Sequence, residues 1–145
     1  MGTLYLVPTP IGNLGDISRR MADTLAEVDF IAAEDTRVSL KLLNHLEIKK
    51  PMLTYHRHNT ETGGQAVIDR LLAGENGALV TDAGMPAISD PGEELVARCA
   101  QLDIPVVAIP GPCALVAALA VSGQPTGRVT FEGFLAMNKK NRRSH

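Results

Sequence analysis

Asp82, Gly84 and Pro86 stand close together, directly after the apolar run Leu79-Val80 and Thr81. The combination sets a carboxylate beside a residue without Cβ, where backbone can approach a ligand closely. Pro86 then prevents the strand from continuing. Four other clusters carry residues of chemical interest: Thr9-Pro10-Ile11-Gly12-Asn13, Glu34-Asp35-Thr36-Arg37, His56-Arg57-His58-Asn59 and Pro110-Gly111-Pro112-Cys113. Glu34, Asp35, His56 and His58 are the candidate general bases, being the side chains here that accept a proton near neutrality or below. Glu34-Asp35-Thr36-Arg37 has an equally good reading as a helix cap with an ion pair. An extended His56-x-His58 pair can chelate, but the spacing marks no third ligand, and no metal site is expected. Cys113 precedes an apolar helix whose dipole would lower its pKa, yet no base is marked beside it. It reads as a small packing or backbone-presenting residue, and Cys99 reads as core.

Familiar site patterns fail one by one. A dinucleotide fingerprint needs three spaced glycines after the first strand. The first loop offers Gly12 and Gly15 among prolines, although Glu34 and Asp35 stand where an acidic residue would belong. No Walker A loop is present, and Asp82 lacks the second acid two residues on that an aspartyl phosphatase would use to hold magnesium.

The elements that position these clusters follow from hydrophobic spacing. Strands are expected at 3–7, 29–33, 52–55, 78–81 and 105–109. Helices are expected at 17–28, 38–46, 61–73, 91–102 and 113–121, with Asp16 or Ser18 capping the first and Asp90 the fourth. The helix at 113–121 is apolar throughout and reads as tightly packed core. This β-α alternation predicts an α/β fold, a mostly parallel five-stranded sheet with helices on both faces. Parallel strands bring all five clusters to one sheet edge, where α/β sheets bind ligands.

Residues 1–123 are expected to form one α/β domain, and 124–145 a linker or the start of a second domain. Within that tail, 129–134 reads as an edge strand or linker. Fourteen Lys plus Arg against 16 Asp plus Glu argue against a generic nucleic-acid-coating surface. The exception is Lys139-Lys140-Asn141-Arg142-Arg143, either a solvated tail or a phosphate-contacting segment. Trp is absent and aromatics are scarce, against a base-stacking platform. No apolar run is long enough to span a bilayer, no secretory signal is expected, and two cysteines fit a reducing cytoplasm.

Taken in order, Leu6 to Ser18, Ala32-Ala33-Glu34-Asp35-Thr36-Arg37, Asp82 to Gly92, Ile109-Pro110-Gly111-Pro112 and Phe131-Glu132-Gly133-Phe134-Leu135 resemble successive motifs of one family. It is the ribosomal small-subunit RNA cytidine-2′-O-methyltransferase family, within the tetrapyrrole-methylase superfamily. The resemblance implies an enzyme of two α/β domains, of which this would be the N-terminal one, using S-adenosyl-L-methionine and acting as a cytoplasmic homodimer on ribosomal RNA of the small subunit. By motif position it implies cofactor contacts at Ile11, Asp82, Ala83, Gly84, Met85, Ile88, Cys113 and Ala114. Ile11, Met85 and Ile88 would be apolar walls for adenine. Arg37, Arg57, Lys139, Lys140, Arg142 and Arg143 would be RNA-phosphate contacts. The chain departs from the family pattern at Met85, where Thr is usual, Cys113 (Ser), Ala136 (Pro) and Arg57 (an acid), and the first two changes remove hydroxyls from the cofactor side. Other readings are a tetrapyrrole or small-molecule methylase of the same superfamily and a non-catalytic nucleotide-binding module.

Overall fold

The computed structural model describes residues 1–143. Its sheet is built from β1 (Leu4–Leu6), β2 (Phe30–Ala33), β3 (Met52–Thr54), β4 (Gly77–Val80) and β5 (Val106–Ala108), in the order β3-β2-β4-β1-β5 with every pairing parallel. The helices are α1 (Arg19–Glu27), α2 (Thr36–His45), α3 (Thr60–Leu72), α4 (Glu93–Gln101), α5 (Ala114–Val121) and α6 (Lys139–Arg143). A short 3₁₀ turn at Leu14–Asp16 precedes α1.

Strand alternation divides the core in two. Phe30, Ala32 and Leu79 face α3 and α4 through Val67, Ile68, Leu71, Leu95 and Cys99. Ile31, Ala33, Ala78 and Val80 face α1 and α2 through Met21, Leu25 and Leu43. Helices therefore cover both faces, as expected. β2 and β4 are buried on both sides, which is why each is a continuous apolar run rather than an alternating one. Burial pushes the Cys99 thiol pKa up, in keeping with a core residue. Ser18 caps α1: its hydroxyl accepts from the Met21 N–H at 3.1 Å.

The chain forms two compact units, Met1–Ala114 and the residues from Leu115 on. Three expectations are corrected. Asp90 does not cap α4; the cap position belongs to Gly92, at φ 138°, and Pro91 lies outside the helix. There the chain crosses so closely over Leu79 that a Cβ on residue 92 would lie 2.8 Å from its Cδ2, so steric room, not a capping side chain, selects the residue. Second, α5 is not core, since none of its residues is buried. A helix apolar on every side needs neighbours on more than one side, and the only other helix described in its unit is the polar, five-residue α6. Third, no strand forms at 129–134, which leaves the linker reading of that segment.

Candidate functional site

β1 and β4 are neighbours, but their following helices pack on opposite faces of the sheet. That is the switch point at which α/β sheets open a crevice beyond their strand ends. Here the two loops are stitched together across it. Thr9 N–H donates to Gly84 O at 3.1 Å, Gly84 N–H donates to Thr9 O at 2.9 Å, and the Thr9 hydroxyl donates to Thr81 O at 3.1 Å. Gly84 sits at φ 82°, in left-handed territory. A Cβ placed on it would lie 3.4 Å from Ile11 Cγ2 and 3.8 Å from Pro112 O. The loops after β1, β4 and β5 therefore meet at one glycine, and Cys113 and Ala114 follow directly.

Ile11 and Ile88 keep 41% and 51% of their surface exposed. Asp82, Ala83 and Ala114 are exposed, while Met85 and Cys113 are half-buried. All eight residues named as cofactor contacts lie in the first compact unit.

The candidate bases separate by their surroundings. Glu34 Oε2 accepts from the Thr81 hydroxyl at 3.1 Å, which fixes it at the foot of the central loop. Asp35 caps α2, accepting from Arg37 N–H at 2.9 Å, and the Arg37 guanidinium grips the same carboxylate from Nε at 3.2 Å and Nη2 at 3.0 Å. The hydrogen bond from the Arg37 side chain, joined by one from its backbone, holds the Asp35 pKa below its ordinary value. His56 and His58 belong to the turn before α3: His58 N–H donates to His56 Nδ1 at 3.2 Å, and His56 N–H to Asn59 Oδ1 at 2.7 Å. Among the described residues no group of three or more His, Cys, Asp or Glu could hold a metal ion.

Arg57 and Asp90 line a cleft of about 390 Å³. Burial raises the Asp90 pKa, with the Arg57 charge opposing, the Asp82 charge adding and the Thr81 hydroxyl opposing. A carboxyl with a raised folded-state pKa lends stability only below its unfolded pKa, and that contribution disappears as pH rises through the folded value. Asp90→Asn is therefore expected to raise the melting temperature at pH 7 and to leave it unchanged well below the ordinary carboxylate pKa of about 4. Thermal scans at the two pH values check this.

Lys139, Lys140, Arg142 and Arg143 form α6, with none of its residues buried. Thr9 and Thr81 received no role of their own from the sequence, and Ser39 went unnamed. The signal for the first two is a threonine at or just past the end of an apolar run, where its hydroxyl can tie one strand end to the next.

A doubly wound parallel sheet with three loops converging on a glycine at its switch point puts these loops where α/β sheets bind ligands. The chain belongs to the tetrapyrrole (corrin/porphyrin) methylase family, whose model matches residues 3–145. It is 55% identical over 142 residues to "Ribosomal RNA small subunit methyltransferase I" of Synechocystis sp., covering 98% of this chain and 51% of that protein. Proteins of the same name from Halalkalibacterium halodurans and Vibrio cholerae are 56% and 52% identical, covering 98% and 97% of this chain and 49% of each relative. The chain thus spans about half the length of these curated relatives. The fold is shared with the crystal structure of uroporphyrin III C-methyl transferase from Thermus thermophilus, at a TM-score of 0.63 and 20% identity over 92% of this chain and 56% of that one. No helix among the described residues is long and apolar enough to cross a membrane.

Proposed function

We propose that this chain carries the cofactor-binding crevice of an S-adenosyl-L-methionine-dependent enzyme that methylates the ribose 2′-hydroxyl of a cytidine in small-subunit ribosomal RNA. The observation that carries the cofactor reading is the meeting of Ile11, Gly84 and Pro112 at the sheet's switch point. Gly84, with both backbone groups paired to Thr9, lets the three loops approach closely, and the exposed Ile11 and Ile88 offer apolar surface for an adenine ring. Ala83, Met85, Cys113 and Ala114 complete the cradle, with Asp82 at its rim. The RNA substrate is inferred from the names of the relatives and from the motif resemblance. By that resemblance the assembled protein is a cytoplasmic homodimer, and 1–123 is its N-terminal domain.

When bound, the cofactor supplies a sulfonium-activated methyl group. What the protein adds is position, the larger part of the rate for an already activated donor, and a group to take the hydroxyl proton. Glu34 is the residue best suited to that second role, because the Thr81 hydroxyl orients its carboxylate at the crevice. Asp35 is committed to Arg37 and to its own helix cap. Glu34→Gln is expected to slow methyl transfer by about a hundredfold, within the range ascribed to a general base, without weakening cofactor binding. Single-turnover rates and calorimetry on the same variant separate the two effects.

Arg57 and the α6 cations serve as phosphate contacts in this reading. Reversing Lys139, Lys140, Arg142 and Arg143 together is expected to flatten the salt dependence of RNA binding by about 3 in log–log slope, if each neutralises one phosphate of a single strand. Fluorescence titrations from low to high salt measure it. The function itself is tested by mapping 2′-O-methylcytidine in small-subunit RNA from cells deleted for the protein. Loss of one such mark is expected, and an unchanged pattern would contradict the assignment.

A further inference from the structure

A second cavity, of about 250 Å³, opens between α2 and the ends of β1 and β4. Leu14, Val38 and Leu42 form its apolar side, and Leu14 and Val38 remain 52% and 39% exposed. Ser39 also lines it, only 4% exposed, and its hydroxyl has no hydrogen-bond partner. A serine inside a helix ordinarily turns its hydroxyl back to the carbonyl one turn earlier or out to water. This one does neither, so a buried polar group is left for something else to satisfy. Lys41 and His45 contribute polar groups to the same lining, and Thr81 and Asp82 close it toward the central loop. Ile11, Gly84 and Pro112, which define the cofactor cradle, are not part of it.

We propose that this cavity receives one extruded nucleotide of the RNA strand, with the base against Leu14, Val38 and Leu42 and the phosphate toward Lys41 and His45. The inference rests on the methyltransferase reading and assigns its substrate subsite. The volume falls just under the range of roughly 300–1,000 Å³ usual for drug-sized ligands, which suits one nucleotide rather than a longer piece. Apolar walls with one unpartnered buried hydroxyl suit a base face and one base-edge group, the manner in which enzymes hold a base taken out of its stack. Asp82 and Thr81 belong to both neighbourhoods, lining this cavity and leading into Ala83-Gly84. A ribose held here would therefore lie beside the cofactor loop and near Glu34, which Thr81 anchors.

The test is amide-resolved NMR of the chain titrated separately with cytidine 5′-monophosphate, adenosine 5′-monophosphate, inorganic phosphate and S-adenosylhomocysteine. Cytidine 5′-monophosphate is expected to shift the amides of Leu14, Ser39 and Leu42, and inorganic phosphate is not. Ser39→Ala is expected to weaken that binding about fivefold, the loss of one hydrogen bond, while S-adenosylhomocysteine binds as before. Lys41→Glu is expected to do the same through the phosphate, and either variant's spectrum reports whether the fold is kept. The proposal is overturned if the cytidine nucleotide leaves these amides unmoved up to its solubility limit while S-adenosylhomocysteine binds. It is equally overturned if S-adenosylhomocysteine itself fills the cavity and competes. If the cytidine nucleotide fills the cavity while the Gly84 crevice takes adenosine 5′-monophosphate in preference to S-adenosylhomocysteine, the pocket assignment stands and the methyltransferase reading fails.

Discussion

Gly84→Val is expected to lower affinity for S-adenosylhomocysteine by about a hundredfold, close to 3 kcal/mol. The backbone at φ 82° is open to glycine and costly for a β-branched side chain. A first carbon already lies 3.4 Å from Ile11 Cγ2, so the added methyl groups push on the first loop or into the space proposed for the ligand. Either movement loosens the paired hydrogen bonds between Thr9 and Gly84 that hold the two loops together. Gly84→Ala bears the backbone strain with less crowding and should fall between wild type and valine. A graded loss across glycine, alanine and valine in calorimetry distinguishes closure of a cradle from general unfolding, which a melting curve of each variant monitors.

Gly77→Ala is expected to cost about 3 kcal/mol of stability or more, at the upper end for overpacking, and Gly77→Val to prevent folding. Gly77 stands directly opposite Leu4 on β1 and Phe30 on β2, in the middle of the sheet. A Cβ there would overlap the Cζ end of the Phe30 ring, whose Cε2 and Cε1 would be 2.6 and 2.8 Å away. The ring has little room to retreat, being fully buried with the Arg70 guanidinium 5.3 Å from its centroid. Urea unfolding measures the loss. Pairing Gly77→Ala with Phe30→Leu should recover part of it, since the two substitutions then share one space and cease to be additive.

The sheet was legible because strands buried on both faces must be apolar without interruption, and Phe30–Ala33 and Gly77–Val80 are. Legible too was the edge on which the loop clusters gather, since parallel strands send every following loop the same way. What escaped depends on contacts between distant segments. Asp90-Pro91 has the residue types of a helix start, but the crossing over Leu79 gave the cap to Gly92. The apolar composition of α5 says that it seeks partners and nothing about where they are, so burial was the wrong inference. Glu34 and Asp35 are adjacent acids with no difference visible in sequence. Only the fold shows one meeting Thr81, from 47 positions away, and the other held by Arg37. The Ser39 hydroxyl is invisible for the same reason, because its isolation comes from elements packed around it.

The central claim is that the crevice around Gly84 binds S-adenosyl-L-methionine, and calorimetric titration of this chain with S-adenosylhomocysteine tests it most directly, with NAD and ATP as controls. Saturable binding of S-adenosylhomocysteine alone, lost in Gly84→Val, is the result expected. Preference for NAD or ATP, or S-adenosylhomocysteine binding indifferent to the valine, would contradict it.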